Sequence, residues 1–256
     1  MTSKKYRKSP IVEAVCEFQF EENPSFKENP SLESAIPGLV YEKIRTTFPI
    51  LRQAARVTVS VSATPQEVGP QFGTVPLMQF LRKDEKALIQ VGSNLLTANV
   101  FRPYPSWQKF LPSIKRGFNA YREVVAPKGI QRIGLRYINQ IEIPGQNINL
   151  EDYLEFRPFV GSNLPQDFGT FVVGIQVPYE ETRDILNLQL VSLPRPNIST
   201  DNAAMILSLD YVLLKPGEVA LDEAFKWVEI AHSHIEDVFE ACITQKLRDL
   251  FKEVTK

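Results

Sequence analysis

The closing segment of the chain, from Leu221 to Phe251, restricts the fold more than any other part of the sequence. Apolar side chains recur in it at spacings of three and four residues, the period of one helical face. The pattern predicts a single helix of about eight turns, whose stripe must be buried against another apolar surface. The stripe consists of Leu221, Ala224, Phe225, Val228, Ala231, His232, Ile235, Val238, Phe239, Cys242, Ile243, Leu247, Leu250 and Phe251.

Alternating segments predict the strands that supply this surface. In Ile11 to Phe20 every second residue is apolar, so that Cys16 lies on an inward face. Turn-forming residues bound several further segments of the same kind. These predicted strands are Arg56 to Ala63, Leu77 to Arg82, Ala87 to Val100, Arg132 to Ile143, Thr170 to Val177, Ile185 to Leu193 and Ala203 to Leu214.

Three shorter helices complete the predicted element order. Apolar residues at helical spacing from Leu39 to Leu51 predict the first of these helices. Ser106 is a candidate N-cap for a second helix that extends to residue 125, and Asn149 is a candidate N-cap for a short third helix. Residues 11–125 and 130–253 then both read β-α-β-β-β-α. The sequence predicts an α+β protein with two tandem β-α-β-β-β-α halves, 1–127 and 128–256. Long helices would cover one face of an antiparallel sheet and leave an open concave face.

Three stretches rich in proline and glycine interrupt the predicted strands: Thr64 to Pro76, Phe156 to Gly169 and Pro194 to Asn202. Their composition is typical of irregular loops between strands. Such loops either carry binding residues or only connect strands, and the sequence favours neither role.

Charge and cysteine content narrow the function classes. Lys and Arg total 29 against 30 Asp and Glu, a net charge of −1, so no strong overall field attracts nucleic acid or an anionic membrane. Cys16 and Cys242 are the two cysteines, too few for a disulfide framework or a four-cysteine zinc site. Glutamates interrupt the start of the chain, and no run of 18 apolar residues occurs. These features predict a cytoplasmic protein with no membrane contact.

One strand carries the best candidate binding residues. In Arg132 to Ile143, Arg132 and Arg136 lie on one face on either side of Gly134, while Tyr137 and Asn139 lie on the other. Two arginines beside a glycine are suited to bind a phosphate or carboxylate. The alternative is an internal pair, for example between Arg136 and Asp210 of a later strand.

The two histidines, His232 and His234, lie in the predicted last helix. Residues two apart on a helix point in different directions, so this pair cannot chelate one ion. Glu229, His232 and Glu236 do share a face, which is half of a di-iron carboxylate motif whose other half is missing from the sequence. The pattern favours a buried, hydrogen-bonded His232 over a metal ligand.

Portable catalytic motifs are missing from the sequence. It contains no G-x-S-x-G, phosphate-binding G-x-x-x-x-G-K, G-x-G-x-x-G or H-E-x-x-H segment. Cys242 lies ten residues from His232 on the predicted helix, about 15 Å along its axis, so these two residues cannot form a catalytic dyad. The sequence therefore predicts neither an enzyme nor a cofactor or metal site.

Three segments carry a resemblance to known proteins: KSPIVEAVCEFQF at the start, RIGLRYINQIEI in the centre, and the closing segment WVEIAHSHIEDVFEACITQKLRDLF. With them the chain resembles a sporadically distributed prokaryotic family of uncharacterised proteins. The resemblance spans nearly the whole length and carries no catalytic signature. It implies an accessory protein of mobile or antiviral defence loci, including CRISPR loci.

Together these observations lead to three functional hypotheses. The first is a non-catalytic scaffold or accessory protein that binds another protein through the open sheet face, the loops or the last helix. The second is a nucleic-acid-binding module that uses a basic sheet face containing Arg132 and Arg136. The third is a metal-dependent hydrolase that uses Glu229, His232 and Glu236. The candidate binding residues are Arg132, Arg136, Tyr137, Asn139, Asp210 and His232.

Overall fold

The computed structural model of the protein describes residues 4–24, 30–64, 67–145, 148–166, 169–194 and 202–254. Its fold is α+β, as predicted. The strands are β1 (Ile11–Phe20), β2 (Ile50–Thr64), β3 (Glu67–Leu81), β4 (Ala87–Val91), β5 (Leu95–Phe101), β6 (Ile130–Pro144), β7 (Val172–Tyr179), β8 (Asp184–Ser192) and β9 (Asn202–Leu213). The helices are α1 (Pro30–Ile44), α2 (Trp107–Val125), α3 (Ala224–Cys242) and α4 (Gln245–Phe251).

The contacts divide the chain into two compact units. The central unit contains Glu17–Val100 and Ser106–Gln131, and the C-terminal unit contains Met1–Cys16, Phe101–Pro105 and Arg132–Lys256. Four strands lie between α1 and α2, whereas only a 3-10 turn separates β6 from β7. The predicted repeat of one element order in both halves is therefore not confirmed.

In the central unit, β2, β3, β4 and β5 form an antiparallel meander, and the last residues of β1 lie beside β5. Helix α2 packs against this sheet through Gly117, where an added Cβ would lie 3.0 Å from Ile89 Cδ1. The Phe118 ring packs edge-on to that of Phe18, with 4.8 Å between centroids. The largest fully buried side chains of this unit are aromatic.

The C-terminal unit contains the antiparallel strands β6, β9, β8 and β7 in that order, with the first residues of β1 beside β6. The Gln140 N–H donates to the Pro10 carbonyl at 2.9 Å. Helix α3 covers one face of this sheet with Trp227, Val228 and His232, among other buried residues. This arrangement places the C-terminal stripe against strands, as the sequence predicts.

The prediction of an irregular stretch from Thr64 to Pro76 was wrong. The backbone of β3 pairs with β2 from Glu67 to Leu81, so the predicted loop is one arm of a long hairpin. Only Met78 to Leu81 of β3 also pair with β4. The residues of β3 before Met78 pair with β2 and with no second strand in the described part of the chain. The Arg82 N–H donates to the Ala87 carbonyl on the β4 side, so the backbone nitrogens of Pro70 and Pro76, an even number of residues away, point away from β2 and proline removes no hydrogen bond to it.

The other two predicted irregular stretches are described only in part. Residues 156–166 contain no helix or strand, as predicted. Residues 167–168 and 195–201 lie outside the described residues.

Three further predictions needed correction. The predicted strand from Ala87 to Val100 is two strands, because a turn closed by the Gly92 N–H and the Leu95 carbonyl separates β4 from β5. The first helix begins earlier than its apolar spacing suggests and ends at Ile44, so that Leu51 belongs to β2. The helix after Asn149 is only a 3-10 turn, Leu150–Asp152.

The predicted continuous last helix is interrupted at Ile243, whose backbone is extended (φ −118°, ψ 145°). Ile243 forms an isolated β-bridge with Leu154. The Thr244 N–H donates to the Tyr153 carbonyl at 3.0 Å, and the Thr244 hydroxyl donates to the Asp152 carbonyl at 2.6 Å. These tertiary hydrogen bonds replace helical ones, so α3 and α4 are separate helices.

No described helix is long and apolar enough to cross a membrane.

Candidate functional site

The C-terminal unit contains all six candidate residues, and its sheet separates them into two groups. Strand alternation assigns Arg132, Arg136 and Asp210 to the face opposite α3. Tyr137, Asn139 and His232 are buried between the sheet and α3. The candidates therefore belong to two distinct environments rather than one site.

On the face opposite α3, the arginines lie against their own sheet. Arg136 and Asp210 occupy directly opposite positions on β6 and β9, and Arg136 Nε donates to Ser208 Oγ at 3.0 Å. The Arg132 guanidinium lies across Gly134, with its Nη1 3.2 Å from the position of an added Cβ. Gly134 thus provides space for an arginine side chain of the same strand.

A row of polar side chains continues from this pair across the sheet. Asp210 is opposite Asn187 on β8, and Asn187 is opposite Gln176 on β7. Gln176 Nε2 donates to Asn187 Oδ1 at 2.9 Å, and Asn187 Nδ2 donates to the Asp210 carbonyl at 3.4 Å. The row joins the arginine-bearing strand to the strand at the end of the sheet.

On the covered face, His232 belongs to a chain of hydrogen-bonding groups. The Tyr104 and Tyr137 hydroxyl oxygens are 3.0 Å apart, and the Tyr137 hydroxyl is 3.2 Å from His232 Nδ1. His232 Nε2 lies 3.4 Å from Glu236 Oε1. A neutral imidazole that donates from Nε2 to Glu236 and accepts from Tyr137 satisfies every group, with Tyr104 donating to Tyr137.

Burial keeps the hydrogen-bonded side chains of Tyr104, Tyr137 and His232 uncharged. Desolvation lowers the pKa of His232 to about 4 and raises the pKa of Tyr137 well above its usual range. Desolvation also raises the pKa of Tyr104. The prediction that His232 is a buried, hydrogen-bonded core residue is confirmed.

Asn139 is almost completely buried, and its Nδ2 donates to the Leu207 carbonyl of the neighbouring strand at 3.1 Å. This geometry shows Asn139 linking β6 to β9. It is an internal polar contact of the sheet.

Sequence reasoning missed a second buried polar cluster, centred on the completely buried Asp184. Trp227 Nε1 donates to Asp184 Oδ1 at 2.9 Å, and the Tyr211 hydroxyl donates to Oδ2 at 3.3 Å. Arg183 Nη2 donates to the same Oδ2 at 2.6 Å. Asp184 lies two residues before Leu186, so it belongs to the same alternating set of inward residues on β8. This carboxylate was missed because the predicted strand began one residue later, at Ile185.

Strand β7 is the end strand of the C-terminal unit, and within the described residues nothing pairs with its outer edge. The Ser192 N–H donates to the Phe171 carbonyl at 3.1 Å, so the backbone groups of Phe171 point toward β8. Because backbone groups alternate in an antiparallel pair, those of Val172, Gly174 and Gln176 point away from β8. A free backbone edge of about five residues results.

The two cysteine thiols, which are common catalytic nucleophiles and metal ligands, are both buried. Desolvation raises the pKa of the buried Cys242 thiol to about 12, which disfavours a thiolate. Cys16 is also buried. Among residues the structure describes, no group of three or more His, Cys, Asp or Glu is placed to hold a metal ion.

Comparisons with known proteins add no identification: no protein-family model matches the chain, and no curated protein matches it. The resemblance to a prokaryotic family stays a prediction from three sequence segments.

Proposed function

We propose that this chain is a non-catalytic accessory protein that binds another protein by adding an extended segment of the partner to β7. The observation that carries the proposal is the outer edge of β7, with backbone donors and acceptors that no described strand uses. An added strand supplies main-chain hydrogen bonds along such an edge, and its side chains supply specificity.

The side chains of β7 support a docking role. Val172 is 67% exposed and Ile175 is 48% exposed. The strand VVGIQVPY contains no charged residue. Natural edge strands usually carry charges, bulges or several prolines that prevent strand addition, and β7 has only Pro178 near its end. An uncharged apolar edge is therefore expected to have a partner.

The candidate residues divide between internal contacts and the sheet face opposite α3. His232 and Tyr137 are committed to a buried hydrogen-bonded chain, and Asn139 to a contact between strands. The polar row ends at Gln176 on β7, so a strand added there would extend the face that contains Arg136 and Asp210. An accessory role in a prokaryotic defence locus is part of the same proposal and rests on the sequence resemblance.

The test uses two substitutions at one position. Gln176→Pro removes an outward N–H without removing a ladder hydrogen bond to β8, whereas Gln176→Ala keeps that N–H and removes only the side-chain bond to Asn187. The tagged wild-type protein captures partners from its native host, and each captured protein is then purified and titrated against the three forms. We expect Gln176→Pro to weaken binding at least about tenfold and Gln176→Ala to change it little.

A second pair of variants tests the side chains. Val172→Lys combined with Ile175→Lys should abolish capture, whereas Leu214→Lys, at an exposed apolar residue outside β7, should not. Hydrogen exchange of the complex should show new protection of the Val172, Gly174 and Gln176 amides. Equal binding by Gln176→Pro and wild type, or no stoichiometric partner at all, would refute the proposal.

The other two hypotheses from the sequence stay predictions. Nucleic-acid binding by Arg132 and Arg136 predicts a gel shift that weakens as salt increases. Metal-dependent hydrolysis predicts metal in the purified protein and its loss in His232→Ala.

A further inference from the structure

The edge of β7 ends near two exposed carboxylates. Glu181 lies in the connection from β7 to β8, two residues after Tyr179. Asp237 lies on α3, three residues after His234 and therefore on the same side of the helix. The His234 ring packs against the Tyr179 ring with 4.4 Å between centroids. Both carboxylates thus lie near the half-buried side chain of Tyr179, at the last position of β7.

Neither of these two carboxylates is neutralised by a neighbour. Among the described residues, Glu181 and Asp237 form no ion pair and no side-chain hydrogen bond. Arg183, the basic residue closest to Glu181 along the chain, donates to the buried Asp184 at 2.6 Å, so its charge is already compensated. Burial, and after it the negative charge of Asp237, raises the pKa of Tyr179. This end of the edge therefore carries uncompensated negative charge.

The side chains before Tyr179 on the same face of β7 are apolar. Strand alternation places Val173, Ile175 and Val177 on that face, and Ile175 is 48% exposed. Four residues of a strand span about 13 Å, so an added segment places residues of one face, four apart, beside Ile175 and Tyr179. Pro178 lies at an outward position but has no N–H, so the main-chain ladder weakens there and side-chain contacts with Tyr179 become more important.

From this arrangement we infer that the segment added to β7 is an apolar strand with an arginine or lysine beside Tyr179. The inference rests on the proposed function and names the chemistry of its partner. A cationic side chain at this place contacts the Tyr179 ring within reach of Glu181 and Asp237, and gains a cation–π contact and charge attraction. Apolar residues at alternate positions of the segment pack against Ile175 and its neighbours. A carboxylate in place of the cation is repelled.

The experiment titrates the full chain into fluorescein-labelled peptides of about nine residues and measures fluorescence anisotropy. Each peptide has Val at alternate positions, Thr between them and Arg at one end. Because an added strand can run in either direction, one peptide has Arg at its N-terminal end and a second has it at its C-terminal end. Two control peptides have Glu in place of Arg. We expect one Arg peptide to bind at least about tenfold more tightly than its Glu counterpart, and the difference to shrink as salt increases.

Two charge reversals in the full chain locate the contact. Asp237→Lys should weaken binding of that Arg peptide at least about fivefold. Glu142→Lys makes the same change in net charge at an exposed residue of β6, with β9 and β8 between it and β7, and should change binding less than about twofold. Thermal melts check that both variants fold.

The outcomes separate this inference from the proposed function. Equal binding of Arg and Glu peptides that is lost in Gln176→Pro would overturn the basic residue and leave strand addition intact. Binding of neither Arg peptide, or equal effects of Asp237→Lys and Glu142→Lys, would also overturn the inference, while capture of partners from the native host still decides the proposed function. Binding of an Arg peptide that Gln176→Pro does not weaken would place the contact away from the β7 edge and contradict the inference as well.

Discussion

Asp184 and His232 lie under the same helix, yet they belong to opposite kinds of buried polar cluster. The Asp184 carboxylate receives hydrogen bonds from Trp227, Tyr211 and Arg183, including one from a cationic side chain. His232 has a tyrosine hydroxyl at one ring nitrogen and a carboxylate near the other, and its imidazole stays neutral because burial lowers its pKa to about 4.

The difference shows what stabilises a titratable group inside this unit. A buried charge needs several donors at once, and the cluster at Asp184 supplies an indole, a hydroxyl and a guanidinium. A neutral imidazole needs only one donor and one acceptor, which Tyr137 and Glu236 supply. Disruption at Asp184 should therefore cost more than disruption of the chain through His232.

The largest effect is expected for Asp184→Ala. The substitution leaves the Trp227 indole N–H and the Tyr211 hydroxyl without their acceptor in a buried site, while Arg183 can turn to solvent. We expect the free energy of unfolding to fall by about 3 kcal/mol, measured by urea denaturation.

Asp184→Asn serves as the matched control. It keeps one oxygen acceptor and removes the charge, so a smaller loss of about 1–2 kcal/mol is expected. A loss in Asp184→Ala no larger than that in Tyr104→Phe would contradict the comparison.

Lowering the pH should destabilise the protein through His232. Its folded pKa of about 4 lies below the usual value of 6.5, so the unfolded chain binds more protons between these values. Stability is then unaffected by this group above pH 6.5 and decreases as the pH falls below it. Between pH 6.5 and pH 5 the free energy of unfolding should fall by between about 1.5 and 2 kcal/mol, because the slope rises toward about 1.4 kcal/mol per pH unit only below pH 6.5.

Denaturation curves at several pH values test this slope. His232→Gln should flatten it, and His234→Gln is the control for removal of the other histidine. An unchanged slope in His232→Gln would show that Glu236 stabilises the imidazolium in the folded state.

Tyr137→Phe should have a smaller effect on stability. It removes the hydroxyl that joins Tyr104 to His232, and the part-buried Tyr104 hydroxyl and the buried His232 ring both lose that partner. The expected loss is about 1.5 kcal/mol, and the melting temperature measured by calorimetry should fall accordingly. A variant as stable as wild type would mean that water replaces the hydroxyl.

The smallest effect on stability is expected for Tyr104→Phe, at the end of the hydrogen-bonded series Tyr104–Tyr137–His232. The Tyr137 hydroxyl keeps His232 as its acceptor, so about 0.5–1 kcal/mol should be lost. Combining Tyr104→Phe with Tyr137→Phe should cost less than the sum of the two, because both remove the same hydrogen bond. Additive losses would contradict a linked chain.

The spacing of apolar residues along the sequence predicted much of the local structure. The strand from Ile11 to Phe20 has the predicted bounds, with Ala14, Cys16, Phe18 and Phe20 buried. The strands of the C-terminal unit lie within about two residues of their predicted positions. Period 2 and period 3.6 are properties of the backbone, so a strongly alternating or helical segment indicates its own conformation.

Part of the candidate site was also predictable. Tyr137 and Asn139 face inward and Arg132 and Arg136 outward because they alternate on one strand, and the apolar stripe placed His232 in the core. The pairing of Tyr137 with Tyr104 could not be predicted, because nothing local relates two residues 33 positions apart.

The sequence by itself determined the α+β class, most strands, the burial of the last helix and the inward position of His232. Only the tertiary structure decided that β3 extends through a segment rich in proline and glycine, that the last helix breaks at Ile243, and that Asp184 is enclosed. It also decided which strand forms an uncharged edge. Each of these depends on partners distant in sequence, whose hydrogen bonds and packing outweigh local preferences of about 1 kcal/mol per residue or less.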